Sequence, residues 1–208
     1  MKKILLLLIF ATIGCTKHVL VIGDSITYDG GYIQFIVDKM SIKKYPVNTI
    51  FTVYGYPSKG TTYIKNQFMK MNISKYSDVI VLAGVNNISD PNIVISDLTT
   101  IYSKALTLKK RVIALTLTPW EKYPTWSIQK QKNTEEVNKL IMTGYCNING
   151  VGRYFIIPSY VYSNYIPIDI YSALLTNEFG NVTTDGLHPN SIGHVIIGNE
   201  IYKRVYAK

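Results

Sequence analysis

The feature that most constrains the fold is a set of short apolar runs, each closed by a glycine or a proline. The runs occupy 18–22, 78–83 and 111–118, and they are followed by Gly23, Gly84 and Pro119. They are apolar on both faces, which is typical of strands buried in a parallel sheet. Two further strand patterns, at 47–54 and 154–157, bring the predicted sheet to about five strands.

Stretches with the spacing of amphipathic helices separate these runs. They occupy 32–40, 61–71, 91–108, 130–145 and 191–205. The alternation predicts an α/β fold, a three-layer α/β/α sandwich around a mostly parallel sheet. Ligands of such open sheets bind beyond the carboxyl ends of the strands, so the residues that follow the apolar runs are the first candidates for a site.

Length and composition favour one domain that needs no cross-links. With 208 residues, 47% of them hydrophobic, the chain can bury a core, and disorder of the whole chain is excluded. Two cysteines are too few for a disulfide scaffold, and we expect Cys146 to be a small buried side chain. The net charge of +9 is scattered over short Lys-rich groups without a nucleic-acid-binding motif, so we expect no nucleic-acid partner.

The first residues have the pattern of a secretion signal. A basic start, Met1-Lys2-Lys3, precedes an apolar run at 4–13. This run is too short for a membrane-spanning helix, which needs about 20 residues, but it fits the apolar region of a signal peptide. We therefore expect the protein to be exported across the inner membrane.

The run ends in Gly14-Cys15, which resembles a bacterial lipobox, in which the cysteine becomes the lipidated first residue. Thr12 departs from that pattern, because an aliphatic residue is usual there. The resemblance implies a signal peptide at 1–14 and one mature domain at 15–208. It also implies a lipid anchor on Cys15 that holds the protein at the membrane of the cell envelope.

Two short motifs at opposite ends of the chain suggest nucleophilic catalysis. The first apolar run leads into Asp24-Ser25, where a serine between a strand and a helix can project its hydroxyl from the sheet. Serine is a weak nucleophile and needs a base to take its proton. Asp185 precedes His188 by three residues, so in a tight turn the carboxylate can orient the imidazole toward Ser25. This pattern predicts a Ser-His-Asp triad.

Each motif by itself also has an ordinary structural interpretation. Asp24-Ser25 is a common start of a helix, and Asp185-Gly186 followed by a proline is common in turns. The combination favours catalysis, because the motifs fall where the alternation of strands and helices predicts the functional edge of the sheet.

In order and composition these motifs resemble four sequence blocks of the SGNH, or GDSL, hydrolase family, whose fold is flavodoxin-like. The resemblance extends over 23–189 and makes Ser25 the nucleophile, with His188 and Asp185 completing the triad. It implies an oxyanion hole formed by the backbone N–H groups of Ser25 and Gly60 and by the side chain of Asn86.

Two departures from the family pattern concern the oxyanion hole. The third block usually ends in aspartate, where this chain has Asn87. The second block is irregular, so Gly55 is an alternative to Gly60 as the backbone donor; the two threonines after Gly60 favour that residue.

The resemblance implies a serine esterase that needs neither metal nor organic cofactor and acts as a monomer. A single small domain suggests a short acyl group, such as acetyl on a carbohydrate. Two alternatives stay open: a carbohydrate-binding surface lipoprotein without turnover, and an acyltransferase that uses the same residues. The aromatic residues Trp120, Tyr123 and Trp126 either form a sugar-stacking surface or cover the core. We expect His194 to be a partly buried helix residue and not a base.

Overall fold

A computed structural model describes residues 16–42, 49–154, 163–176 and 181–207, together with the backbone of Leu6–Leu7. The predicted lipidation site at Cys15 and most of the predicted signal peptide lie outside these residues. Within the described part of the chain, no helix is long and apolar enough to cross a membrane.

A central sheet with five parallel strands forms the middle layer. In chain order the strands of the protein are β1 (Leu6–Leu7), β2 (Lys17–Gly23), β3 (Thr49–Gly55), β4 (Asp78–Leu82), β5 (Arg111–Leu115), β6 (Tyr145–Ile148), β7 (Val151–Tyr154) and β8 (Tyr165–Ile168). The sheet order is β1-β3-β2-β4-β5-β8, and only β1 runs antiparallel to its neighbour. Strands β6 and β7 form a separate hairpin.

Among the described residues, five helices lie in the connections between strands, and two more follow the last strand, β8. They are α1 (Ser25–Asp29), α2 (Gly31–Ile42), α3 (Thr61–Lys70), α4 (Pro91–Thr107), α5 (Ile128–Thr143), α6 (Ile170–Leu175) and α7 (Ser191–Ile201), with a 3-10 turn at Val85–Asn87 and a π turn at Tyr202–Tyr206. Helix α2 packs on α7, whereas α3 packs on α4 and α4 on α5. Because crossover connections are right-handed, the opposite directions of the β2–β3 and β3–β4 connections put these two groups on opposite faces.

The core is built on strands without exposed side chains. Residues 19–22 of β2, 79–82 of β4 and 112–115 of β5 are buried, as their apolar patterns predict. In the sheet, β3 lies on one side of β2 and β4 lies on the other side. The carboxyl ends of β2 and β4 therefore flank the point at which the strand order reverses, where α/β folds bind ligands.

The predicted sandwich with five parallel strands is confirmed, and its fifth parallel strand is β8, which the apolar pattern of the sequence does not predict. Of the strand predicted at 154–157, Tyr154 is the last residue of β7, and 155–157 lie outside the described residues. Pro167 lies within β8, and a proline argues against a strand when only the sequence is considered. A proline is tolerated there because β8 is the edge strand of the sheet.

Candidate active site

Ser25 is the first residue of α1, and only the N-cap residue Asp24 separates it from the end of β2. The carboxylate of Asp24 accepts a hydrogen bond from the backbone N–H of Ile26 at 3.1 Å and so caps the helix. The chain turns this sharply because Gly23 has no side chain: a Cβ there would lie 2.1 Å from the carbonyl oxygen of Leu82. Strand β2 and its glycine thus deliver the Ser25 hydroxyl to the carboxyl edge of the sheet.

The predicted serine, histidine and aspartate lie in one hydrogen-bonded chain. Ser25 Oγ is 2.9 Å from His188 Nε2, and His188 Nδ1 is 2.7 Å from Asp185 Oδ2. Ser25 and His188 are 163 positions apart in the sequence. This is the arrangement in which an imidazole can accept the proton of the serine while a carboxylate holds its other nitrogen.

The turn around Asp185 holds the carboxylate with backbone donors. Asp185 Oδ1 accepts the N–H groups of Leu187 at 3.0 Å and of His188 at 2.8 Å. Burial favours the neutral acid, but these hydrogen bonds and the His188 side chain outweigh it and lower the pKa of Asp185 to about 2. The carboxylate is therefore ionised at neutral pH and can stabilise an imidazolium.

Asn86 lies on the 3-10 turn after β4, at the same edge of the sheet. Its Nδ2 donates to the carbonyl oxygen of Lys59 at 3.1 Å, so the amide lies beside the peptide that ends at Gly60. An amide nitrogen has two hydrogens, and the one that is not used on Lys59 can serve a ligand. Gly60 itself is the extended N-cap residue of α3.

The two candidate backbone donors have different surroundings. A Cβ on Gly55 would lie 2.1 Å from Tyr28 Cα and 2.2 Å from Tyr28 N, so close packing on α1 accounts for this glycine. A Cβ on Gly60 would lie 3.0 Å from both Cγ and Oδ1 of Asn87. Gly60 is therefore the glycine in contact with the loop that bears Asn86, which favours it as the donor.

Two aspartates near the site have buried carboxyl groups, which the sequence patterns do not predict. Asp24 is 1% exposed, and burial raises the pKa of its carboxyl to about 6 against the lowering effect of its hydrogen bonds and of His188. Asp97, on α4, is 2% exposed and accepts hydrogen bonds from the start of α3. A signal for Asp97 was available, since it stands on the apolar face of α4 with Val94, Leu98 and Ile101.

The remaining aromatic and histidine candidates have structural contacts. Trp120 is buried, and its Nε1 donates to Thr134 Oγ1 at 3.1 Å, so this ring covers the core. Tyr123 lies edge-on to His188, with ring centroids 6.4 Å apart. His194 is a largely buried residue of α7, as expected, and its Nε2 is 2.5 Å from Asp29 Oδ2.

A cavity of about 350 Å³ lies beside the turn that holds the imidazole. Gly186 and Lys122 line it together with apolar Leu174 and polar Thr183. Among the described residues, no group of three or more His, Cys, Asp or Glu side chains is arranged to hold a metal ion. Cys146 is buried as expected, and burial raises the pKa of its thiol to about 11.

Comparison with known proteins identifies the fold. An acetylxylan esterase from Geobacillus stearothermophilus superposes with a TM-score of 0.70 at 17% identity, over 94% of this chain and 97% of the other. The chain has the fold of SGNH hydrolases. A G-D-S-L family lipolytic protein from Veillonella parvula matches with a TM-score of 0.66 at 19% identity, over 93% and 100% of the two chains.

A putative acylhydrolase from Bacteroides fragilis gives a TM-score of 0.64 at 20% identity, over 90% of this chain and 85% of the other. No protein-family profile and no curated protein sequence matches the chain. At identities of 17–20%, these solved structures show the fold alone. They leave the roles of individual residues and the substrate to be proposed.

Proposed function

We propose that the protein is a serine esterase in which Ser25 is the nucleophile, His188 the general base and Asp185 the residue that orients the imidazole. The observation that supports this most directly is the hydrogen-bonded chain from Ser25 Oγ through His188 to Asp185. As Ser25 Oγ bonds to the ester carbonyl carbon, its proton passes to His188 Nε2.

The oxyanion of the tetrahedral intermediate accepts hydrogen bonds from the backbone N–H groups of Ser25 and Gly60 and from Asn86 Nδ2. The N–H of Ser25 belongs to the first turn of α1, where backbone donors have no partner within the helix. Donors fixed in advance stabilise the developing charge more than mobile water does, and they account for a large part of the rate.

The intermediate collapses when the bond from carbon to the leaving alcohol breaks and His188 returns its proton to that alcohol. An acyl group then remains on Ser25 Oγ. Water repeats the sequence: it gives a proton to His188, attacks the acyl carbon and releases the acid, and Ser25 regains its proton. The reaction needs no metal and no organic cofactor.

We propose a short acyl group on a carbohydrate as the substrate class. The fold likeness to an acetylxylan esterase supports it. Aryl esters of increasing acyl length test it. We expect hydrolysis to fall steeply beyond acetyl or butyryl, and a preference for long chains would contradict the proposal.

The role of Ser25 is tested by Ser25→Ala on an aryl acetate, with Ser96→Ala as the control on the exposed face of α4. We expect Ser25→Ala to lose nearly all activity and Ser96→Ala to keep it. Undiminished hydrolysis by Ser25→Ala would refute the mechanism. Preferential acyl transfer to an added alcohol would instead identify an acyltransferase with the same site.

We also propose that 1–14 is removed and that lipidated Cys15 holds the enzyme at the cell envelope as a monomer. The support is the sequence alone: the basic start, the apolar run and Gly14-Cys15. In a bacterial host, Cys15→Ser leaves the net charge unchanged and should release the protein from the membrane fraction. Unchanged membrane association would contradict the lipid anchor.

A further inference from the structure

The loop that bears Asn86 is tied to the loop that bears Gly60 by the next residue along, Asn87. Asn87 Oδ1 accepts the backbone N–H of Thr61 at 3.0 Å, and Asn87 Nδ2 donates to Thr61 Oγ1 at 3.0 Å. Thr61 is fully buried and directly follows Gly60. The side chain of Asn87 therefore fixes the peptide next to the proposed oxyanion donor.

The Thr61 hydroxyl has a second partner on the opposite side. It donates to Asp97 Oδ2 at 2.8 Å, and the same carboxylate accepts Thr62 Oγ1 at 2.6 Å and Lys65 Nζ at 2.5 Å. Burial alone would raise the pKa of Asp97, but these three hydrogen bonds outweigh it and lower the pKa below its ordinary value. Asp97 is thus ionised at neutral pH and can only accept hydrogen bonds.

The direction of the Thr61 hydroxyl follows from this count. A hydroxyl has one hydrogen, and that of Thr61 is committed to the Asp97 carboxylate. Only a lone pair of Thr61 Oγ1 then faces residue 87, which must supply a donor to it and an acceptor to the Thr61 N–H. An amide provides both. An aspartate at 87 would leave two carboxylates competing for one hydrogen.

We propose that Asn87 and Asp97 form a matched pair of positioning residues that fixes Gly60 and Thr61 at the oxyanion hole, and that Asp97 is the reason why position 87 is asparagine where the SGNH pattern has aspartate. This inference rests on the proposed esterase function. Neither residue touches the substrate; both act through Thr61, Asn87 on its backbone N–H and hydroxyl and Asp97 on its hydroxyl.

A double-mutant cycle tests the pair. In Asn87→Asp we expect kcat for an aryl acetate at pH 8 to fall about ten-fold with KM nearly unchanged, because a partly buried hydrogen bond next to the proposed oxyanion hole turns into a repulsion. Asp97→Asn alone should lose less: its amide oxygen can still accept the Thr61 hydrogen, and Lys65, which then faces the amide nitrogen, is partly exposed and can turn to solvent.

The combination of both substitutions reverses the polarity of the network. The amide introduced at position 97 donates to Thr61 Oγ1, the Thr61 hydroxyl donates to the carboxylate introduced at position 87, and Lys65 still faces an oxygen. We expect this double variant to exceed Asn87→Asp in kcat by more than about three-fold. Equal or lower activity of the double variant, or wild-type activity of Asn87→Asp, would overturn the proposal.

Unfolding by urea gives a readout that does not depend on catalysis. The carboxyl introduced by Asn87→Asp faces Asp97, so its pKa in the folded state is raised. The stability of this variant relative to wild type should therefore be highest at low pH and should fall as the pH rises above about 4, the ordinary pKa of aspartate. Asn72→Asp is the matched control, because exposed Asn72 Oδ1 only accepts from Ser74 N, a role that a carboxylate keeps.

The two readouts separate the inference from the function on which it rests. If wild-type turnover does not depend on Ser25, the esterase proposal fails while the unfolding cycle still tests the Asn87–Asp97 pair. If turnover depends on Ser25 but Asn87→Asp matches Asn72→Asp in stability at every pH, only the matched pair is refuted.

Discussion

Gly186 packs against the backbone of Lys122, and this contact joins the turn between Asp185 and His188 to the loop after β5. A Cβ on Gly186 would lie 2.5 Å from the carbonyl carbon of Lys122 and 2.7 Å from the backbone nitrogen of Tyr123. The φ angle of Gly186 is +93°, a region that residues with side chains rarely adopt. Position 186 therefore requires glycine for two reasons: the backbone has a positive φ, and no room exists for a Cβ atom.

Replacement of Gly186 should reduce activity by more than the loss of folded protein accounts for. Gly186→Ala must move the turn or the loop, so we expect hydrolysis to fall at least about ten-fold, as the imidazole shifts from Ser25 by tenths of an ångström or more. Gly144→Ala is the matched control, since Gly144 also has a positive φ, +78°, but open space around it.

Gly144→Ala should lower the free energy of unfolding by the conformational strain alone, about 1–2 kcal/mol, and should keep its activity per folded molecule. Thermal unfolding and aryl acetate hydrolysis measure the two effects separately. Equal activity of the two variants, after correction for the folded fraction, would contradict a role for the Gly186–Lys122 contact in positioning the imidazole.

Asp185→Asn should reduce kcat by about 10³–10⁴ while leaving the turn in place. The amide oxygen can still accept the N–H groups of Leu187 and His188, but the variant loses the negative charge that stabilises an imidazolium. Steady-state kinetics with wild type and variant check this. A loss of less than about ten-fold would mean that Asp185 does not have the proposed role.

Asn86→Ala should lower kcat by about 10²–10³ with a small effect on KM, because it removes an oxyanion donor that acts chiefly in the transition state. Asn92→Ala, an exposed asparagine on α4, serves as the control for truncation of an amide. If Asn86→Ala raised KM and left kcat unchanged, Asn86 would be a ground-state binding residue instead.

The buried carboxyl of Asp24 predicts a pH dependence of stability. Its pKa is raised from 3.8 to about 6 by burial, so it contributes stability at low pH that is lost as the pH rises toward and through 6. The lost contribution is about 3 kcal/mol. Asp24→Asn cannot ionise and keeps an oxygen for the Ile26 N–H.

Urea unfolding of both proteins at pH 4, 5.5 and 7 measures this effect. The free energy of unfolding of wild type should decline relative to that of Asp24→Asn between pH 4 and pH 7. A difference that stays constant over this range would mean that the Asp24 carboxyl has an ordinary pKa in the folded protein.

The parts of the site predicted from the sequence are those that depend on strand ends. Ser25 and Asn86 follow β2 and β4, and their apolar runs mark where each strand stops. Asp185 and His188 belong to one turn, so their mutual geometry follows from a spacing of three. The sheet edge brings Ser25 and Asn86 together, whereas the turn with Asp185 and His188 follows α6 and no strand end, so its place at that edge was expected from the family resemblance alone.

The parts that the sequence did not predict depend on packing between elements. The pairing of Asn87 with Asp97 arises where α3 lies on α4, and the Thr61–Asp97 hydrogen bond joins residues 36 positions apart. The burial of Asp24 depends on neighbours from other segments, among them the N–H of Gly84. Helices α1 and α6 are five and six residues long, too short for a helical repeat to mark them.

Labelling with a fluorophosphonate tests the central claim most directly, because the reagent forms a bond only with a serine whose proton a neighbouring base can take. Wild type and Ser96→Ala should be modified once, at Ser25, as located by mass spectrometry of the digested protein, and Ser25→Ala and His188→Ala should stay unmodified. A wild-type protein that binds acetylated sugars but is not labelled at Ser25 would contradict the account and identify a binding protein.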